Sequence, residues 1–187
     1  MANKGLWNIP NILTLMRVIL IPVLVVLAYL PPFPWQHWVS AGVFVLAAIT
    51  DWFDGYLARA LNQTSAFGRF LDPVADKLMV AAALLILVQA QPTIWLVIPA
   101  IVIISREITI SALREWMAEI GKRANVAVSY IGKWKTTAQM TSIAVLLVQH
   151  PVLDYLGYAL LYIAVVLTIW SMMIYLKAAW PDLSQSD

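Results

Sequence analysis

Asp51, Asp54, Asp72 and Asp76 stand in the run DWFDGYLARALNQTSAFGRFLDPVAD, within a chain whose flanks are mostly Leu, Val, Ile and Ala. An ionised carboxylate resists transfer out of water, so four of them in apolar company require a compensating charge. A hard divalent cation, which takes carboxylate oxygens, supplies one. The spacing agrees. Asp51 and Asp54 are i,i+3 and Asp72 and Asp76 are i,i+4, so each pair shares one face of a helix. Residues 62–68, NQTSAFG, are mostly polar and small and are predicted as the turn between two helices. A helical hairpin would bring both pairs into one cluster, in the manner of carboxylate metal sites inside helix bundles. Gly55 and Gly68 permit close approach of a ligand or a second backbone, and Arg59, following the small Ala58, can meet a phosphate. An oxygen-only donor set suits magnesium or manganese. Two such ions about 3.5–4 Å apart can clamp a diphosphate and stabilise its attacking and leaving oxygens.

The elements that hold these groups read as membrane helices. Of 187 residues, 62% are hydrophobic and 12% charged, against roughly 25% charged in a soluble domain. The fold class expected is all-α, a single polytopic membrane domain over residues 1–187. Cysteine is absent, which excludes a disulfide framework and thiolate chemistry. Six spans are predicted, near 12–30, 38–60, 70–89, 93–116, 129–148 and 153–176, after an interfacial N-terminal segment 1–11 carrying Lys4, Trp7 and Asn8. No small-residue cleavage site follows the first apolar run, so it is read as a retained span. Pro73 is expected at the start of the third helix, where proline is tolerated. His37 and His150 fall in turns and are read as turn residues.

Several charges interrupt the apolar runs. Asn11, Thr14 and Arg17 recur every third residue and form a polar stripe on the first helix. Arg17 either snorkels as an anchor or faces the aspartates at the same depth. Arg106 and Glu107 lie inside the fourth span, either as a packing ion pair or as part of a site. The long polar connection 117–135 carries Lys122, Arg123, Lys133 and Lys135. The turns at 31–37, 89–92 and 149–152 hold no Lys or Arg, and all 12 cations fall toward the opposite side. By the positive-inside rule that side, with both termini and the aspartates, is cytoplasmic.

The run Asp51-x2-Asp54-Gly55-x2-Ala58-Arg59-x8-Gly68-x3-Asp72-x3-Asp76 resembles the signature of the CDP-alcohol phosphotransferases at every defined position. Eight residues at fixed spacing make this a specific signal. The resemblance implies that Asp51, Asp54, Asp72 and Asp76 hold two divalent cations, magnesium or manganese, that Asp76 also serves as general base, and that Gly55, Ala58, Arg59 and Gly68 line a CDP pocket. Beyond the signature, NIPNILTLMRVILIP and ISREITISALREWMAEIGKRANVAVSYIGKWKTTAQM resemble the branch of that family whose donor is CDP-diacylglycerol and whose acceptor is sn-glycerol 3-phosphate. It implies phosphatidyl transfer with release of CMP, and a homodimer. An acceptor phosphate needs cations, for which Arg106, Arg114, Lys133 and Lys135 are available, Arg114 and Lys135 ahead of Lys122 and Arg123. Alternatives are another acceptor, serine or an inositol phosphate, and, from another class, a cation transporter lined by the carboxylates. The acids sit at one end of the helices and not at the midplane, which disfavours transport. Bilayer lipids are the expected surroundings, and nothing points to a nucleic acid partner.

Overall fold

Residues 8–60, 65–121 and 130–184 are described by the computed structural model. Six helices and no strands appear among them: α1 Ile9–Tyr29, α2 Gln36–Ala60, α3 Ala66–Ala90, α4 Ile94–Glu119, α5 Tyr130–Leu147 and α6 Pro151–Leu183. Local chemistry sets their ends. Asn8 caps α1, its Oδ1 accepting the Asn11 backbone N–H at 2.9 Å, with Pro10 in the first turn. The Gln36 Nε2 donates to the carbonyls of Leu27 at 2.6 Å and Leu30 at 3.3 Å, tying the last turn of α1 to the first of α2. His150 caps α6, its Nδ1 accepting the Val152 N–H at 3.3 Å, and Gln149 before it takes a positive φ of 51° to close the turn. His150 is thus the turn residue expected, while His37 lies in the first turn of α2.

Helix α3 begins earlier than the sequence suggested. Ser65 caps it, its Oγ accepting the Gly68 N–H at 2.9 Å, so Ala66, Phe67 and Gly68 belong to the helix and not to the turn. Pro73 therefore lies inside α3, a correction to its expected place at the start, and removes the hydrogen bond to the Arg69 carbonyl. Residues 1–7 of the interfacial segment, residues 61–64 of the inter-helix turn and residues 122–129 of the polar connection lie outside the described residues.

Helix α3 is the hub, packing against α1, α2, α4 and α5, while α6 packs on α4 and α5. Leu24, Phe44, Met79, Leu84, Leu87, Ile103, Ile143 and Leu161 close the core between them. The exterior inverts the pattern of a soluble protein. Ile19, Val26, Ile98, Ile101, Ile108 and Val166 are exposed, whereas Asn11, Thr14, Arg17, Asp54, Arg106, Lys135 and Gln139 are buried. That distribution fits a bundle whose outer solvent is hydrocarbon. Exposed Trp35, Trp38 and Trp95 ring one end, and Trp52, Trp134 and Trp180 ring the other, as interfacial aromatics do.

Helices α1, α4 and α6 are long and apolar enough to cross a membrane. The same criterion does not select α2, α3 and α5. Their length suffices (18 to 25 residues), but one half of α2 and α3 carries the aspartates, and α5 starts with Lys133, Lys135 and Gln139. The polar side chains of a site lower the mean hydropathy of the helices that build it.

Candidate active site

Three of the four aspartates converge at the end of the bundle where α1 and α3 begin and α2 ends. Asp51, Asp54 and Asp72 each offer a carboxylate oxygen within 4.8 Å of the others. Asp54 is buried, and Asp51 and Asp72 are 39% and 42% exposed in their side chains, so the cluster has a closed floor and an open rim. Arg17 reaches it from the third turn of α1. Its Nη1 forms an ion pair with Asp51 Oδ1 at 2.8 Å and donates to Asp72 Oδ1 at 3.0 Å, and its Nη2 donates to Asp54 Oδ2 at 2.6 Å. Only 1% of the Arg17 side chain is exposed, so it faces the site and is not a snorkelling anchor.

The rest of the stripe on α1 supports the same corner. The Thr14 hydroxyl lies within reach of Asp54 Oδ2 at 3.4 Å and of the Pro10 carbonyl at 3.1 Å. Asn11 Oδ1 accepts from Ser65 Oγ at 2.8 Å, which joins the start of α1 to the cap of α3. At Gly68 a Cβ would stand 2.5 Å from Asn11 Oδ1, so glycine is what lets α3 start this close to α1.

The donor set fits a divalent cation. It consists of carboxylate oxygens with no sulfur or nitrogen ligand, and three carboxylates face a single guanidinium. Two negative charges in this half-buried corner are therefore left for a cation to balance.

Asp76 stands outside that trio. One turn along α3 from Asp72, it lines a separate cavity of about 300 Å³ with Lys77, Arg106, Glu107, Arg114 and Lys135. Glu107 organises the cations there: its Oε1 accepts from Lys135 Nζ at 2.5 Å and from Arg106 Nη1 at 3.0 Å. Arg106 Nη2 also donates to Ser171 Oγ at 3.1 Å, so the pair joins α4 to α5 and α6. Arg114 donates to the Tyr175 hydroxyl at 2.9 Å, and the guanidinium carbons of Arg106 and Arg114 lie 5.8 and 5.1 Å from the Tyr175 ring centroid. Lys77 donates to Ser111 Oγ. The arrangement is bipartite: an acidic cluster at α1–α2–α3, a cationic cavity at α3–α4–α5–α6, and Asp76 on the wall of the second, one helical turn from the first.

Gly55, Ala58 and Arg59 continue α2 as helix, and Lys133 lies in the first turn of α5, but the side chains of all four fall outside the described part of the structure, as do Lys122 and Arg123 entirely. Arg106, Arg114 and Lys135 do converge. Gln139 and Tyr175 are among the cavity residues that went unnoticed in the sequence. Gln139 was detectable, since it is i,i+4 from Lys135 and shares its face. Tyr175 was not, because its role depends on how α6 lies against α4.

The family model for CDP-alcohol phosphatidyltransferase matches residues 7–170. Curated relatives cover nearly the whole chain. A Salmonella choleraesuis (strain SC-B67) protein named CDP-diacylglycerol--glycerol-3-phosphate 3-phosphatidyltransferase is 58% identical over 178 residues, 95% of this chain and 97% of its own. Proteins of the same name from Shigella flexneri serotype 5b (strain 8401) and Escherichia coli (strain K12) are each 55% identical over the same shares.

Proposed function

The chain belongs to the CDP-alcohol phosphatidyltransferase family, and from that premise we propose that it transfers the phosphatidyl group of CDP-diacylglycerol to sn-glycerol 3-phosphate in phospholipid biosynthesis, giving phosphatidylglycerol phosphate and CMP. The observation that carries this reading is the placement of Asp76 on the wall of the cationic cavity, one turn from the acidic cluster.

Asp51, Asp54, Asp72 and Asp76 hold divalent cations, two magnesium or manganese ions, which supply charge stabilisation on the donor diphosphate when bound. Gly55, Ala58, Arg59 and Gly68 line the CDP pocket. Arg106, Arg114, Lys133 and Lys135 take the acceptor phosphate, arginine bidentately and lysine as a point charge. Asp76 accepts the proton of the acceptor's primary hydroxyl as that oxygen bonds to the phosphorus bearing diacylglycerol. The phosphoanhydride P–O bond breaks, and CMP leaves with its electron pair. The acyl chains need not leave the bilayer. An apolar groove of about 720 Å³ between α2 and α5, lined by Phe44, Val45, Ile49, Trp52, Met140 and Val145, begins beside Trp52, the neighbour of Asp51, and suits one of them. The whole chain acts as one domain of the bacterial inner membrane, with all six helices crossing, both termini and the site cytoplasmic, and two copies forming a homodimer.

Incorporation of labelled acceptor into extractable lipid tests the reaction. Purified protein with CDP-diacylglycerol and magnesium is offered glycerol 3-phosphate, serine or an inositol phosphate in separate reactions. Label in lipid with glycerol 3-phosphate alone is the expected result. Label with one of the others would retain the reaction class and discard the acceptor.

A further inference from the structure

Gln139 is 4% exposed and lines the cationic cavity beside Asp76. Its Oε1 is fully buried and has no hydrogen-bond partner among the described residues. A buried amide left unsatisfied is costly, and native structures rarely carry one without a reason. Most of the cationic and hydroxyl groups of the cavity are engaged, although the buried Arg106 Nε, like Gln139 Oε1, has no hydrogen-bond partner among the described residues. Lys135 and Arg106 are held by Glu107, Arg114 by Tyr175, Lys77 by Ser111, and the Thr136 hydroxyl donates to the Gly132 carbonyl at 3.0 Å. Gln139 is thus a neutral group in that wall with hydrogen-bonding capacity to spare.

We propose that the Gln139 amide binds the secondary hydroxyl of the acceptor and makes this a site selective for a vicinal diol phosphate. The proposal rests on the acceptor reading above and deepens it. Glycerol 3-phosphate presents three polar groups: a phosphate, the reacting primary hydroxyl and the hydroxyl between them. The cations answer the first and Asp76 the second. Gln139 lies one turn of α5 beyond Lys135, about 5–6 Å along the helix axis, so the two side chains can meet neighbouring groups of one small acceptor. A hydroxyl both donates and accepts, so it satisfies the amide whichever way the amide is turned. A phosphate oxygen or an ammonium group would satisfy only one orientation.

The test compares glycerol 3-phosphate with 3-hydroxypropyl phosphate, which keeps the primary hydroxyl and the phosphate and lacks the hydroxyl between them. CMP release is measured as kcat/KM for each, in the wild-type protein and in Gln139→Met, an unbranched change of similar size. The wild-type protein should prefer glycerol 3-phosphate roughly tenfold to a hundredfold, because the analogue leaves the amide unpaired. Gln139→Met should lose about that factor with glycerol 3-phosphate and little with the analogue, bringing the ratio near one. An equal loss on both acceptors would assign Gln139 to the fold and overturn the proposal. A wild-type protein indifferent to the missing hydroxyl would overturn it without any variant. Absence of turnover with glycerol 3-phosphate in the wild-type protein would instead contradict the acceptor reading itself.

Discussion

Arg17 is the residue on which the acidic cluster depends. A buried guanidinium with two carboxylates on Nη1 and a third on Nη2 is held by charge, and Asp54 beneath it is buried and cannot turn to water. Replacing Arg17 with Ala takes the buried guanidinium from that carboxylate, and breaking a buried pair costs about 3–5 kcal/mol. The expected outcome is a large drop in thermal unfolding temperature in chelator, partly recovered when millimolar magnesium is added. A variant as stable as the wild-type protein in chelator would mean that Arg17 does not hold the cluster. Asp76 carries the other residue-scale prediction. Asp76→Asn keeps the shape and removes the proposed base, so turnover should fall roughly 10²–10⁴-fold while the unfolding temperature stays within a few degrees. An unchanged rate would remove Asp76 from the base role. At this scale the aspartates and the stripe Asn11–Thr14–Arg17 were legible, because carboxylates and a cation in apolar helices need each other. The place of Asp76 on the cavity wall was not, since i,i+4 spacing says which face two residues share and nothing of what stands opposite each.

Helix α3 shows where local signals competed. Pro73 suggested a helix start, but Ser65 supplies the cap seven residues before Asp72, and the close packing of Gly68 on Asn11 fixes it there. The start of α5 at Tyr130, within the polar connection, followed from the shortness of its apolar run. The α5–α6 contact could not be anticipated. A Cβ at Gly157 would lie 2.7 Å from Leu146 Cδ2, and Ser142 Oγ donates to the Gly157 carbonyl at 2.9 Å. Small residues at such crossings let backbones approach in a membrane, where packing and not water drives association. Gly157→Ala should therefore destabilise the bundle by about 1–3 kcal/mol, read as a lower unfolding temperature in detergent. No change would mean that α5 and α6 do not pack this closely.

Across the whole molecule, the sequence carried the helix number and the side on which the charges gather, through apolar run lengths and the placement of Lys and Arg. It did not carry which helices touch, because a membrane helix is apolar on faces that meet lipid and on faces that meet protein alike. The orientation is open to direct labelling, since the chain has no cysteine of its own. Thr93 makes no side-chain cap bond and Ser184 closes α6 at the other end, so Thr93→Cys and Ser184→Cys each place a single thiol at opposite ends of the bundle. In intact cells an impermeant maleimide should label Thr93→Cys and spare Ser184→Cys; the reverse pattern would invert the topology. The proposed function joins the acidic cluster to the cationic cavity through Asp76. The most direct test is CMP release by purified protein given CDP-diacylglycerol and glycerol 3-phosphate, followed through chelation and magnesium add-back. The account predicts release that requires both glycerol 3-phosphate and the metal, stops in chelator and resumes on add-back. Release indifferent to chelation, or none from folded protein with both substrates and magnesium present, would contradict it.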